Sequence, residues 1–475
     1  MKRILERINN RKIGKPEWII LFLLLVFPYL TECFYDILAT YTHGYSLLRV
    51  TLRGEFFDFY DIAKIFMLEN APDDTLKNLW GAVYSLPIYI IFGLWSIPIA
   101  LIRKITSIGL YDIGVILWYK MLVVAFAVAS LQKMYRILKK AGLEKDTVLI
   151  ACFLLASSLF YVLPIMFMAG YDVILVFFIL WGIELYLENY NGYKWIVVFG
   201  IATTFKMFAL FLFFPLLLYK EKSILSCIYK TLVAIIPLVF FSSLFWGSEV
   251  YLSVSSNFLP EFVKRILANT MPGGNSSIPI IIFLWIALCI WAYLQHQDYG
   301  YKEMLSYVSW MGLVSFSLIL VFAYCHPQWV TILAPFIYIT VGLNMHRIKI
   351  NMILELFCTF SISLFYILHF DWVYCCGNSM KFCLLNTLGI HKSSSPSLAQ
   401  VFHETFEYTY DSMIFALFAV TIIALIVINR PFRMETVEKD RKIASNVDYG
   451  MVIIRLFLVA LIWIVDLLIN MDMLF

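Results

Sequence analysis

Apolar runs of about 18 or more residues recur from one end of this chain to the other, and that feature decides what it can fold into. Each run is a candidate transmembrane helix. Charged residues make up only 14% of the chain, against about 25% in soluble domains, so lipid is the solvent for most of it. No stretch reads as a soluble domain of ordinary size, and residues 1–475 are read as one all-α, polytopic membrane domain. The first run, Trp18 to Tyr29, follows MKRILERINNRKIGKPE without a small-residue cleavage site, which predicts a retained first helix. The net charge of +4 comes from Lys and Arg at helix ends, so it implies no nucleic-acid partner. The nine cysteines lack metal-ligand spacing and read as small packing residues. Cys375, Cys376 and Cys383 share one loop, where either packing or a disulfide fits.

Basic residues cluster at 2–15, 133–145, 220–222, 346–349 and 430–442. The positive-inside rule makes these cytoplasmic, with the N-terminus inside and residues 35–80 delivered to the outer face as the first extracytoplasmic loop. Parity then requires one of the apolar stretches 81–101 and 111–132 not to cross. Pro87 and Pro98 interrupt the first, which is read as a partly immersed outer segment. Residues 194–218 have basic flanks on the same side but are too short for two spans of ~20 residues each. Two short helices broken near Thr203 to Lys206 satisfy both flanks, with Lys206 at the tip of the break beside a cavity. Further helices are expected near 147–165, 171–189, 224–246, 276–295, 304–324, 328–345, 350–373, 410–429 and 451–471. With runs of roughly 20 residues per crossing, the total is about 13 membrane helices with outer-face juxtamembrane segments.

On this topology the unusual polar residues gather on one side. The stretch GEFFDFYDIAK places Asp58 and Asp61 in the first outer loop, three residues apart and so on one helix face. Asp172 lies where the helix near 171 starts, Lys206 tips toward the same side, and His326 and Gln328 stand at the outer end of another helix. Glu261, Lys264 and Arg265 occupy a further outer region. Ionisable groups at membrane depth are costly and default to functional hypotheses. Each also has a plainer reading: Asp58 and Asp61 as the solvated side of a surface helix, Asp172 and His326 as helix caps, Lys206 as a snorkelling lysine. Helices starting near Asp172 and Gln328 point N-terminal ends at the outer cavity, which favours anions such as phosphate.

These segments resemble the membrane-embedded GT-C glycosyltransferases, which use polyprenyl-phosphate sugars. DFYDIAK resembles the first-loop Asp motif of the bacterial mannosyltransferase-like members, and YSLPIYIIFGLWSIP (Tyr84–Pro98) their proline-bearing segment. MAGYDVILVFF is similar to the second-loop Asp motif, TTFKMFALFLFFPLLL to the broken segment bearing a Lys, and YCHPQWVTILAPF to the later aromatic-rich motif. The second-loop motif departs from the pattern in lacking Gln or Asn before its Asp, and the Lys is not followed by Pro. The resemblance covers a GT-C-like core at 1–345 and leaves the C-terminal helices, 346–475, without a role.

The resemblance implies inverting transfer of a sugar from a polyprenyl-phosphate donor to a lipid-linked or cell-envelope glycan acceptor, on the extracytoplasmic face of a bacterial plasma membrane. In that reading Asp58 is the general base, with Asp61 the alternative. Lys206, His326 and Arg265 bind the donor phosphate, and Asp172, Tyr171, Gln328 and Tyr84 orient acceptor or loop. No cofactor is required, and a divalent cation is compatible with the Asp58 and Asp172 pair. Two rivals stand beside it: a transporter or flippase for lipid-linked glycans, which would spread polar residues through the membrane depth, and a polysaccharide polymerase or ligase, which would carry more Arg in its outer loops.

Overall fold

The computed structural model describes residues 13–474 apart from 79–80, 275, 296–298, 324, 393–394, 407–408 and 432–447. Most of the basic residues at 2–15 and 430–442, and Tyr324 of the YCHPQW motif, therefore lie outside the described residues. The described chain is almost wholly helical. Among the described residues six helices are long and apolar enough to cross a membrane, and three bent helix pairs bring the number up to nine. This is an all-α, multi-pass membrane protein.

The first half begins with α1 (Lys15–Thr31) and α2 (Tyr35–Arg53), followed by a 3-10 turn (Phe56–Asp58), α3 (Phe59–Asn70) and α4 (Asp74–Asn78). α5 (Leu86–Trp95) and α6 (Ile97–Ile105) lead into α7 (Ile113–Lys140), α8 (Lys145–Ala156) and α9 (Leu159–Val162). A π-type turn (Leu163–Phe167) then precedes α10 (Asp172–Glu188), and α11 (Lys194–Phe205) and α12 (Ala209–Lys220) follow. The second half runs through α13 (Ile224–Ser243), α14 (Glu249–Leu267), α15 (Ile280–Leu294), α16 (Tyr301–Phe322), α17 (Val330–Leu343) and α18 (Ile348–His369). It closes with α19 (Leu384–Thr387), α20 (Leu398–Thr405), α21 (Thr409–Ile428) and α22 (Tyr449–Asn470). The outer region that carries Glu261, Lys264 and Arg265 is mostly the helix α14, followed by a two-stranded hairpin (Thr270–Gly273 with Ser276–Pro279). The hairpin was not foreseen; it is short and leaves the helical class unchanged.

Breaks in apolar helices set the geometry, and each needs partners for the carbonyls it frees, because hydrocarbon offers none. α1 and α2 meet at 71° across Glu32 to Phe34. Lys120 of α7, only 1% exposed, reaches across and donates to the carbonyls of Pro28, Tyr29 and Glu32. α8 and the helix after it bend by 58°, and there Arg455 of α22 donates to the carbonyl of Leu154 and, at 3.2 Å, to Ser157 Oγ. Lys222 donates to Leu218 O and Gln295 O at the ends of α12 and α15, and Arg347 to Ile428 O at the end of α21. Long cationic side chains thus serve as C-terminal caps where water cannot.

The expected break in 194–218 is present: α11 ends at Phe205, α12 starts at Ala209, and Lys206 stands between them with extended backbone. The proline-bearing stretch forms α5 and α6, bent by 46° at Ser96. α5 packs tightly on α2, where a Cβ at Gly44 would lie 2.4 Å from that of Phe92. α2 by itself is not among the helices long and apolar enough to cross; it carries Asp36, Arg49 and Arg53. All nine cysteines are free thiols, so Cys375, Cys376 and Cys383 pack as buried side chains without a disulfide.

Ion pairs mark the two ends of the bundle. Lys133 and Lys140 at the end of α7 pair with Glu184 of α10 at 2.6 and 2.8 Å, and Lys230 pairs with Glu221 at 2.7 Å. Asp172 stands at the other end of α10 from Glu188, about 24 Å away at 1.5 Å per residue.

Candidate functional site

Two carboxylates, a lysine and a glutamine meet where four chain breaks come together. Asp36 lies in the first turn of α2, carried there by the 71° bend after α1. Asp172 is the first residue of α10. Lys206 occupies the gap between α11 and α12, and Gln328 the 3-10 turn Pro327–Trp329 before α17. Lys206 Nζ is 2.5 Å from Asp172 Oδ1, and it also lies over the Trp329 ring, 5.1 Å from the centroid. Gln328 Nε2 donates to Asp36 Oδ2 at 3.1 Å.

The backbone before Asp172 is built to allow this approach. Ala169 adopts a left-handed φ of 53°, a conformation that costs a residue with a Cβ and persists where surrounding structure imposes it. Gly170 N donates to Pro164 O at 2.7 Å. A Cβ on Gly170 would stand 2.9 Å from that carbonyl and 3.3 Å from Gln328 Cβ, so only glycine lets the turn and Gln328 come together.

These groups meet at a narrow cleft, partly open to solvent, whose walls are Phe34, Asp36, Met168, Gly170, Tyr171, Asp172 and Gln328. Asp172 is 4% exposed and Gln328 7% exposed. Among the described residues, Asp172 Oδ2 and Gln328 Oε1 are buried with no hydrogen-bond partner. The arrangement pairs one carboxylate, Asp172, with a lysine and leaves a second, Asp36, at the cleft wall where it could act as a base.

The sequence-derived residues fall into three groups. Asp172, Lys206, Gln328 and Tyr171 belong to the cleft or touch it, and Tyr84 adjoins it with its ring edge-on to Tyr171 at 5.5 Å. Asp172 does not cap its helix through a side-chain hydrogen bond; it pairs with Lys206 instead. His326 and Arg265 form the rim, with His326 Nε2 and Arg265 Nη1 3.5 Å apart and Arg265 also 3.5 Å from Glu261. Burial, with Lys206 and Arg265 nearby, pushes His326 down to about 4, so at neutral pH it is an uncharged imidazole rather than the cation expected of a phosphate ligand.

Asp58 and Asp61 form the third group, and neither lines the cleft. Asp58 is exposed at the end of the 3-10 turn beyond α2, and Asp61 is half-buried in the first turn of α3. Seventeen residues of α2, about 25 Å at 1.5 Å per residue, separate Asp36 from Arg53, the helix end that leads to Asp58. The carboxylate beside Asp172 and Lys206 is Asp36, which the motif-led reading passed over. Its signal was an acid immediately after the first apolar run, at the start of the next helix, in the same Tyr-Asp pair as Tyr171 and Asp172. Among the described residues no group of three or more His, Cys, Asp or Glu is placed to hold a metal ion. No family model matches this chain, and no curated protein or solved structure matches it.

Proposed function

We propose that this protein is a GT-C-type membrane glycosyltransferase that moves a sugar from a polyprenyl-phosphate donor to a lipid-linked or cell-envelope glycan acceptor. The observation that carries this reading is the placement of Asp36: a cleft carboxylate bonded to Gln328, beside a buried Asp172–Lys206 pair, where several membrane helices end. The acceptor hydroxyl oxygen attacks the anomeric carbon with inversion, the bond from that carbon to the phosphate oxygen breaks, and polyprenyl phosphate leaves. Asp36, not Asp58, takes the hydroxyl proton. Lys206 moves between Asp172 and the departing phosphate, and Arg265 supplies a second cation at the rim. The lipid tail of the donor stays in the bilayer, which accounts for chemistry placed at helix ends. The reading needs no cofactor, and a divalent cation between Asp36 and Asp172 is compatible with it.

In this reading the cleft faces the extracytoplasmic side of a bacterial plasma membrane, the N-terminus is cytoplasmic and about 13 helices of ~20 residues or fewer enter the membrane. The Lys133, Lys140 and Lys230 pairs at the opposite end of the bundle support that orientation by the positive-inside rule. A reporter fused after Lys145 reads cytoplasmic; an external signal overturns the orientation. The test of function is transfer from radiolabelled polyprenyl-phosphate sugars to membrane lipids, lost in Asp36→Asn.

A glycolipid transporter is the second reading, favoured by the buried Asp172–Lys206 pair beside broken helices. It predicts movement of labelled glycolipid across vesicles with no new glycosidic bond formed.

A further inference from the structure

We infer that Glu32 and Asp466 form a buried proton-binding site, one proton held between two carboxyl groups, and that this proton sets the hinge that carries Asp36 to the cleft. The inference concerns the hinge alone and does not depend on which reaction the cleft performs. Glu32 follows α1, Asp466 lies late in α22, and both are 0% exposed. The segment around Ser379 brings them together: Cys33 N donates to Ser379 O at 2.7 Å, and Ser379 Oγ donates to Asp466 Oδ2 at 2.7 Å. The Glu32 and Asp466 carboxyl groups are in hydrogen-bonding contact. Carboxylates only accept, and among the described residues Glu32 Oε2 meets no donor. Such a contact needs a proton on one of the two groups, because two bare carboxylates repel at that range. Among the described residues no third His, Cys, Asp or Glu completes a metal site there.

The balance of charge agrees. Lys120 of α7 is the cation that faces the pair. Its Nζ donates to Pro28 O, Tyr29 O and Glu32 O, which uses all three hydrogens of an ammonium group and leaves none for a carboxylate. One positive charge thus offsets one carboxylate at short range, and the second carboxyl stays protonated, because an unbalanced charge away from water is costly. The other titratable groups around the pair are the thiols of Cys33, Cys375, Cys376 and Cys383, with the phenols of Tyr41 beside Cys33 and Tyr29 beside Lys120. None of these adds a positive charge.

The pair stands at the 71° bend between α1 and α2, and Asp36 follows Glu32 closely in the chain. Lys120 holds the carbonyls that the bend frees and offsets the charge of the pair. Loss of the shared proton adds a second negative charge, which draws Lys120 off those carbonyls or water into the bend. Either event relaxes the bend and moves Asp36 away from Gln328, whose amide reaches it at 3.1 Å. Residues 346–475, to which the motifs assign no role, supply one of the two acids and so fix the geometry of the cleft.

The test uses the full-length purified protein in lipid nanodiscs. Infrared spectra at neutral pH show a protonated-carboxyl C=O band in wild type that is lost in Glu32→Gln and in Asp466→Asn alike. Glu32→Gln melts as wild type does, since its amide N–H takes the place of the proton. Glu32→Gln/Asp466→Asn leaves Lys120 without a counter-charge and melts lower. The hinge is followed through Cys33, a free thiol only 3% exposed. Between about pH 6 and pH 9, a range in which buried carboxyl groups ionise, its modification by a maleimide rises about fivefold more in wild type than in Glu32→Gln. Glu32→Gln has no proton to lose there, so it also controls for the pH dependence of the thiol. A band retained in both single variants overturns the proton-binding site, as does failure of Glu32→Gln to fold. A double variant as stable as wild type overturns the balance of charge, and equal rises in Cys33 modification overturn the link to the hinge.

Discussion

Replacing Asp36 by Asn separates what the cleft does from what holds it together. Asparagine keeps the size of the side chain, and its amide oxygen still accepts from Gln328 Nε2, now 3.1 Å away. What it loses is basicity. Loss of a general base costs typically 10²–10⁴ in rate, or about 2.7–5.5 kcal/mol at 1.36 kcal/mol per decade. Asp36→Asn is therefore expected to lower transfer at least a hundredfold. Asp58→Asn, at an exposed position, should change transfer less than twofold. Full activity in Asp36→Asn, or loss of activity in Asp58→Asn alone, refutes the assignment of the base.

Lys206→Met strands Asp172 as an unpaired buried carboxylate, which should destabilise the protein by about 3–5 kcal/mol in detergent melts, with Lys206→Met/Asp172→Leu recovering much of that while remaining inactive. Arg455→Met leaves Glu355 uncompensated and the carbonyl of Leu154 unpaired; a comparable loss is expected, partly restored by Glu355→Leu in the same chain. Gly170→Ala pushes a Cβ to 2.9 Å from Pro164 O and against Gln328, so transfer should drop at least tenfold with a modest fall in melting temperature.

The helical class and the positions of several long helices were legible in one dimension, because lipid leaves an apolar run few structures to choose from. The helices near 171–189, 224–246 and 451–471 stand within a few residues of where hydropathy and flanking charge put them. The break at Lys206 was legible from parity: residues 194–218 have basic flanks on one side but are too few for two full spans of ~20 residues each. Asp172, Lys206 and Gln328 each stood out as polar groups where a polar group is expensive.

Their partners did not stand out. Asp36 and Asp58 are both acids after the first apolar run, and only the bend at Glu32 to Phe34 brings the first of them to Gln328, 292 residues away in the chain. That bend depends on Lys120 reaching from α7 to the carbonyls it frees, a contact without local signal in the sequence. Hydrophobic runs are local and are read from neighbours in sequence. The choice among chemically equivalent side chains rests on long-range contacts, and those are settled only when the helices pack.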